Sequence, residues 1–233
     1  AAMKWSHSLL LAAAMLAGCG GGADSSPVCS VEINADSILS GEGLPERPAV
    51  TLQRMRPAWV IDDRAVGGLS LSALWAGYAE PYRDAPTSVY PRGPQRPFGE
   101  VARASQVVVV EVGGNDALAL PPLADFERDL RSIVRTIQAE GRVPVLTGIV
   151  QIAPDAGSLF GPAEHAHSLL LNAITRKVAN DLGLVHAGID LDPVRYEDTF
   201  DGIHRSPSAI PKLLERLTSA VELAAPWCKG KGQ

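Results

Sequence analysis

The chain has 233 residues, 46% of them hydrophobic and 20% charged. This is the make-up of an ordinary globular protein, long enough for one substantial α/β domain or two small ones, and not that of a disordered chain. The formal net charge of −5, with lysine and arginine scattered singly, argues against nucleic acid, because no basic face is available to neutralise a phosphate backbone.

At the N-terminus, Met3-Lys4 gives a short positive start, and the apolar run from Leu9 to Leu16 is too short for a mature membrane-spanning helix. Leu16-Ala17-Gly18-Cys19 follows. The pattern predicts a secretory signal over residues 1–18. Its end resembles a bacterial lipoprotein cleavage box, in which Cys19 becomes the lipidated first residue of the mature chain. Residues 19–27 read as the lipidated cysteine and a flexible Gly- and Ser-rich tether, and residues 28–228 as a single domain. The chain is therefore expected to be exported, anchored by lipid, and to face the periplasm or the cell surface. Setting Cys19 aside leaves Cys29 and Cys228, an even pair in an oxidising compartment. A first strand starting at one edge of the sheet and a last helix returning to that edge would bring the two thiols together, so a disulfide is predicted.

The first strand is expected over Cys29–Asp36, where Val31 and Ile33 alternate with polar neighbours. A segment with Gly41, Gly43, Pro45 and Pro48 follows, and a helix is expected only from Pro48, over Ala49–Arg56. A second strand, Ala58–Asp62, leads into Asp63-Arg64-Ala65-Val66-Gly67-Gly68, whose paired glycines imply a tight turn or a close backbone approach. Leu69–Tyr78 reads as a helix, residues 80–98 as a long irregular loop, and Gly99–Ser105 as one or two helical turns. Val107–Val112 is β-branched with almost no alternation, as a parallel strand covered on both faces is, and it runs into Gly113-Gly114-Asn115-Asp116. Leu123–Glu140 is an amphipathic helix stopped by Gly141. A fourth strand over Val143–Ile152, a helix over Ala163–Leu182 stopped by Gly183, a fifth strand over Leu184–Ile189 and a last helix over Ser208–Leu223 complete the pattern. Alternating strands and helices, about five of each, specify an α/β three-layer sandwich with one parallel, doubly wound sheet.

In such a sheet, Ser37, the Gly67-Gly68 pair, Gly113-Gly114-Asn115-Asp116 and the Asp201-Gly202-Ile203-His204 stretch all fall on the rim at the C-terminal ends of the strands, where open α/β sheets bind ligands. Acyl transfer needs what converges there: a hydroxyl nucleophile, an imidazole to take its proton, a carboxylate to orient the imidazole, and N–H donors for the oxyanion. These stretches, spread over residues 31–206, resemble the four blocks of the SGNH (GDSL-type) family of serine esterases and lipases. Ala35-Asp36-Ser37 stands for the first block, Gly68 for the glycine of the second, Gly113–Asp116 for the third, and Asp201–His204 for the last.

The resemblance implies a flavodoxin-like five-stranded parallel sheet with helices on both faces. It implies Ser37 as nucleophile, His204 as general base and then general acid, and Asp201 as the group that holds the ring. The Ser37 and Gly68 N–H groups and the Asn115 amide would form the oxyanion hole. It implies hydrolysis of carboxylic esters, with a small-molecule, lipid or sugar ester as substrate and neither a cofactor nor a metal. An acyltransferase or deacetylase acting on envelope carbohydrate would use the same residues, and a non-catalytic envelope lipoprotein could keep the same fold. Two departures stand out. Ala35 replaces a glycine, which would cost of order 1 kcal/mol if the position needs φ > 0, and Asp63 stands where the second block often has asparagine.

Other features have plainer readings. His165 and His167, two apart on a helix, face different directions and do not make a ligand pair. No Gly-x-Gly-x-x-Gly opens a helix after a strand, so there is no dinucleotide fingerprint, and Gly-x-Ser-x-Gly is absent. Trp75, Tyr78, Tyr82, Tyr90 and Phe98 either line an acyl or sugar groove or serve as core and loop residues. Glu111 reads as a strand-end residue paired to a neighbour, with a supporting role at the site as the other option.

Overall fold

The computed structural model describes residues 28–78, 94–150, 160–192 and 194–230. Its sheet has five parallel strands, β1 (Ser30–Ala35), β2 (Val60–Asp63), β3 (Val107–Glu111), β4 (Val143–Leu146) and β5 (Val185–His186), in the order β2-β1-β3-β4-β5. The helices are α1 (Ser37–Ser40), α2 (Pro48–Met55), α3 (Leu71–Ala76), α4 (Gly114–Ala119), α5 (Leu123–Ala139), α6 (Pro162–Leu182) and α7 (Ile210–Ala224).

β3 is buried along its whole length, as its run of valines requires. In β1 the two sides differ in chemistry. Val31, Ile33 and Ala35 are apolar, whereas Glu32 and Asn34 are buried and polar, Asn34 Nδ2 donating to Glu32 Oε1 at 2.8 Å. Arg103 and Arg64 pair with Glu32, so that a buried charge is neutralised. α5 buries Phe126, Leu130, Ile133, Val134 and Ile137, the stripe expected from its spacing, and α6 ends on Gly183 in the left-handed conformation.

Several elements differ from the sequence reading. A short helix, α1, starts at Ser37 itself, capped by Asp36, whose side chain accepts the Ile38 N–H. The glycine pair after β3 likewise opens a helix, α4, which the sequence reading did not include. Four to six residues are too few to show a helical period, so such turns are set by their caps and by packing. The helix expected over residues 69–78 is limited to Leu71–Ala76, and in place of the helical turns expected over residues 99–105 there is a single 3-10 turn over Phe98–Glu100. β4 stops at Leu146 and β5 has two residues, the expected strand to Ile189 giving way to a 3-10 turn over Ile189–Leu191. Apolar stretches flanking β4 and β5 serve as buried loops (Ile149, Val150 and Ile189 are 3% exposed or less), and burial alone does not distinguish such segments from strand.

Cys29 and Cys228 are joined by a disulfide with their Cα atoms 4.9 Å apart. The bridge ties the start of β1 to the segment after α7, at the edge of the sheet opposite Ser37, and Trp59 Nε1 donates to the Cys228 carbonyl beside it. Closing a loop of 199 residues contributes roughly 5 kcal/mol in the chain-entropy model. The predicted signal, Cys19 and the tether lie outside the described residues, as do Tyr82 and Tyr90. Among the described residues no helix is long and apolar enough to cross a membrane.

Candidate active site

The strand order reverses at β1. The chain leaves β1 to form β2 on one side and returns to form β3 on the other, so a crevice opens where the C-terminal ends of β1 and β3 diverge. Ser37 follows β1 and Asn115 follows β3. Asp36 joins the two ends: its backbone N–H donates to the Glu111 carbonyl at 3.0 Å, and its buried carboxylate accepts the N–H groups of Ile38 and Gly114. Ser37 is thereby held as the first residue of α1, half-buried at the crevice.

Two glycines of the expected site are fixed by geometry. Gly68 has φ +80°, which permits the turn between β2 and α3. Gly113 has φ +135°, and a Cβ there would meet Ile149 Cδ1 at 2.5 Å, so no side chain fits. Ala35 is different. It is fully buried as the last residue of β1, and Leu120 is the one non-glycine residue with positive φ among those described. The cost anticipated for replacing glycine at position 35 is not incurred. Asp63, in place of asparagine, holds its turn by accepting the Ala65 N–H at 3.0 Å and pairs with Arg47.

Three donors come from the separate segments that follow β1, β2 and β3. Among the described residues, neither the Ser37 N–H nor the Gly68 N–H is engaged in a hydrogen bond within the protein. Asn115 Nδ2 donates one hydrogen to the Leu69 carbonyl at 3.1 Å, next to Gly68, which leaves its second hydrogen for another acceptor.

Residues 199–205 form a closed loop. Thr199 and Arg205 pair as an antiparallel bridge, and Phe200 N–H donates to the His204 carbonyl at 2.9 Å. At the tip, Asp201 Oδ2 lies 2.6 Å from His204 Nδ1, and Asp201 Oδ1 accepts the N–H groups of Ile203 and His204. Partial burial raises the Asp201 pKa, but the bonds from His204 and Ile203 outweigh it and hold the carboxyl below its usual value. A carboxylate on Nδ1 selects the tautomer with Nε2 free to accept a proton. Among the described residues no hydrogen bond joins the Ser37 hydroxyl to the His204 ring. Electrostatic interaction with His204 favours the charged form of Asp36, the neighbour of Ser37, so the loop that carries the histidine lies near the end of β1.

Beneath this rim lie charges that had not been expected there. Burial pushes Glu111 well above the usual carboxylate range, nearby Asp36 adds to the shift, and Glu111 Oε2 has no hydrogen-bond partner. The neighbour that answers Glu111 is thus a charge and not a hydrogen-bond partner of Oε2. Its counter-charge is Arg205, which is also buried and also faces Asp192 and Asp198. Phe98 is fully buried under the Arg103 guanidinium, 3.6 Å from the ring centroid, which makes it a core residue. Trp75 and Tyr78 are half-buried against the core. The described residues hold no cluster of three metal-ligating side chains.

Asp36 carries a consequence for stability. Burial raises its pKa to about 6, against the Ile38 and Gly114 N–H groups and His204, which favour the charged form. Between its ordinary value near 3.8 and about 6, the folded state keeps a proton that the unfolded chain has released. Its contribution is thus full below about pH 4 and is lost as the pH rises to 6. Relative to wild type, Asp36→Asn should gain up to about 3 kcal/mol in urea unfolding between pH 4 and pH 7. A stability difference that stays flat over that range contradicts the buried, raised carboxyl.

Residues 35–209 match the family model described as GDSL-like lipase/acylhydrolase. No curated protein sequence matches the chain. Among solved structures, the fold resembles the psychrotrophic esterase EstA from Pseudoalteromonas sp., at 17% identity and a TM-score of 0.55, over 83% of this chain and 97% of that one. It also resembles TesA, at 21% identity and a TM-score of 0.58, over 85% and 99% of the two chains. A third similar structure is a catalytic mutant of Axe2, an acetylxylan esterase from Geobacillus stearothermophilus, at 14% identity and a TM-score of 0.60, over 87% and 97%. The match over three quarters of the sequence, carried on a sheet with the same architecture, means that the chain belongs to the GDSL-like lipase/acylhydrolase family.

Proposed function

We propose that this hydrolase is a serine esterase of the cell envelope that works through an acyl-serine intermediate. The observation that supports the mechanism is the Asp201 carboxylate on His204 Nδ1, alongside a helix-starting serine, two N–H groups not engaged elsewhere and an amide with a hydrogen to offer, each following a strand of the sheet. Ser37 Oγ attacks the ester carbonyl carbon as His204 Nε2 takes its proton. The carbonyl oxygen becomes an oxyanion that accepts from Ser37 N–H, Gly68 N–H and the Asn115 amide. Collapse expels the alcohol, which leaves with the proton from His204, and Ser37 remains acylated. Water then attacks the acyl carbon, giving its proton to His204, and the acid departs as Ser37 recovers its hydrogen. Asp201 keeps the ring oriented and stabilises its charged form throughout.

Kinetics on a short p-nitrophenyl ester test the assignments. Ser37→Ala should abolish turnover with the fold intact. Asn115→Ala should lower kcat by about 10²–10³-fold with little change in KM, because the donor acts mainly in the transition state. Turnover by folded Ser37→Ala, or an unchanged kcat in Asn115→Ala, contradicts the mechanism.

The envelope location rests on the sequence alone, on the apolar run before Leu16-Ala17-Gly18-Cys19. In a bacterial host the full chain should partition with membranes and carry lipid, and Cys19→Ser should do neither. Equal membrane partition of the two would overturn the lipid anchor.

A further inference from the structure

An oxyanion hole built from separate segments works only if its donors keep their spacing to within about 0.5 Å. Here the Gly68 N–H belongs to the loop after β2, and the Asn115 amide to the start of α4. Asp116, the next residue on α4, is 3% exposed. Its carboxylate reaches across to that loop, Oδ2 accepting the Leu71 N–H at 2.9 Å, three residues beyond Gly68. Leu71 opens α3, so this N–H has no partner within its own helix. The cap residue Ser70 serves a different donor, the Ala73 N–H, at 3.2 Å. With the bond from Asn115 to the Leu69 carbonyl, the loop is gripped on both sides of Ser70 by two consecutive residues of α4.

We propose that Asp116 is a positioning residue for the oxyanion hole: by holding the Leu71 N–H it fixes the Gly68 loop against α4 and sets the distance between the Gly68 N–H and the Asn115 amide. The inference rests on the assignment of those two groups as oxyanion donors. A bond that served only to cap α3 would be met more cheaply by a neutral acceptor, since burying a carboxylate is unfavourable. That cost is visible. Burial, with Asp36 nearby, drives the Asp116 carboxyl up to about 6 although the Leu71 N–H favours its charge. In return, a charge-assisted bond is shorter and stiffer than a neutral one, which suits a part that must not drift.

The test is kinetics on a short p-nitrophenyl ester, with active sites counted by stoichiometric phosphonate labelling. It is joined by the affinity of a boronic acid, whose tetrahedral serine adduct places an oxygen in the hole, and by the melting temperature. Asp116→Ala should lower kcat per active site by about 10–100-fold with KM within about twofold, and weaken boronate binding by a similar factor. Asp116→Asn, whose Oδ1 can still accept from Leu71, should recover part of both. Unchanged kcat and boronate affinity in Asp116→Ala, whatever its melting temperature, would make the contact purely structural and overturn the proposal. If Asp116→Ala does not fold, Asp116→Glu decides: it keeps acceptor and charge but displaces them by a methylene, so kcat falls if spacing matters, and a wild-type kcat overturns the inference. A failure of the underlying assignment is distinguishable, because Asn115→Ala would then keep its kcat while wild type still hydrolyses the ester.

Discussion

β1 is hydrogen-bonded on both sides, to β2 from Ser30 to Ile33 and to β3 from Val31 to Ala35, and the site depends on that double pairing. Registration against β3 puts Ala35 opposite Glu111, so the chain leaves β1 and β3 at the same height. The Asp36 N–H makes one more bond to the Glu111 carbonyl before the two ends diverge. Ser37 then starts α1, and Gly114, the residue before Asn115, starts α4 on the other side of the gap. Neither α1 nor α4 is long enough to be stable alone. Each is a turn of backbone whose first residue is set by the strand behind it.

The rim that results holds more carboxyl groups than its exposure suggests. Asp36, Glu111 and Asp116 are all buried, and each is pushed upward chiefly by burial. Their work is divided. Asp36 ties the Ser37 turn to α4, Asp116 ties α4 to the loop after Gly68, and Glu111 faces the buried Arg205 that follows His204. Each carboxyl accordingly stands between two chain segments that meet at the crevice, where a neutral, well-packed residue would be the more stabilising choice. Stability yields here to the geometry of the site, the usual place for such a concession.

The five strands, the long helices α5 and α6 and the location of the site at one rim were legible in the sequence, because apolar periodicity and glycine stops are local signals. Ser37, Gly68, Asn115, Asp201 and His204 could be picked out only through their resemblance to the blocks of a family. Periodicity says nothing about which serine at a strand end matters. The supporting carboxylates were not legible: Asp116 meets Leu71 only when β2 and β3 have taken their places on either side of β1, and Arg205 meets the field of Glu111 only through tertiary folding. The concern over Ala35 had the opposite origin. A glycine expected from a motif suggested an unusual backbone, whereas the residue is an ordinary end of a strand.

The central claim is that one serine, selected by its place at the end of β1, reacts with the acyl carbon. A p-nitrophenyl phosphonate presents a tetrahedral phosphorus to the same machinery and stays attached to the residue that attacks it. Wild-type protein should take up one phosphonyl group per chain with release of one p-nitrophenolate, and peptide mass mapping should place the added mass on Ser37. Modification of another residue, or continued ester hydrolysis by protein fully labelled at Ser37, would contradict the account.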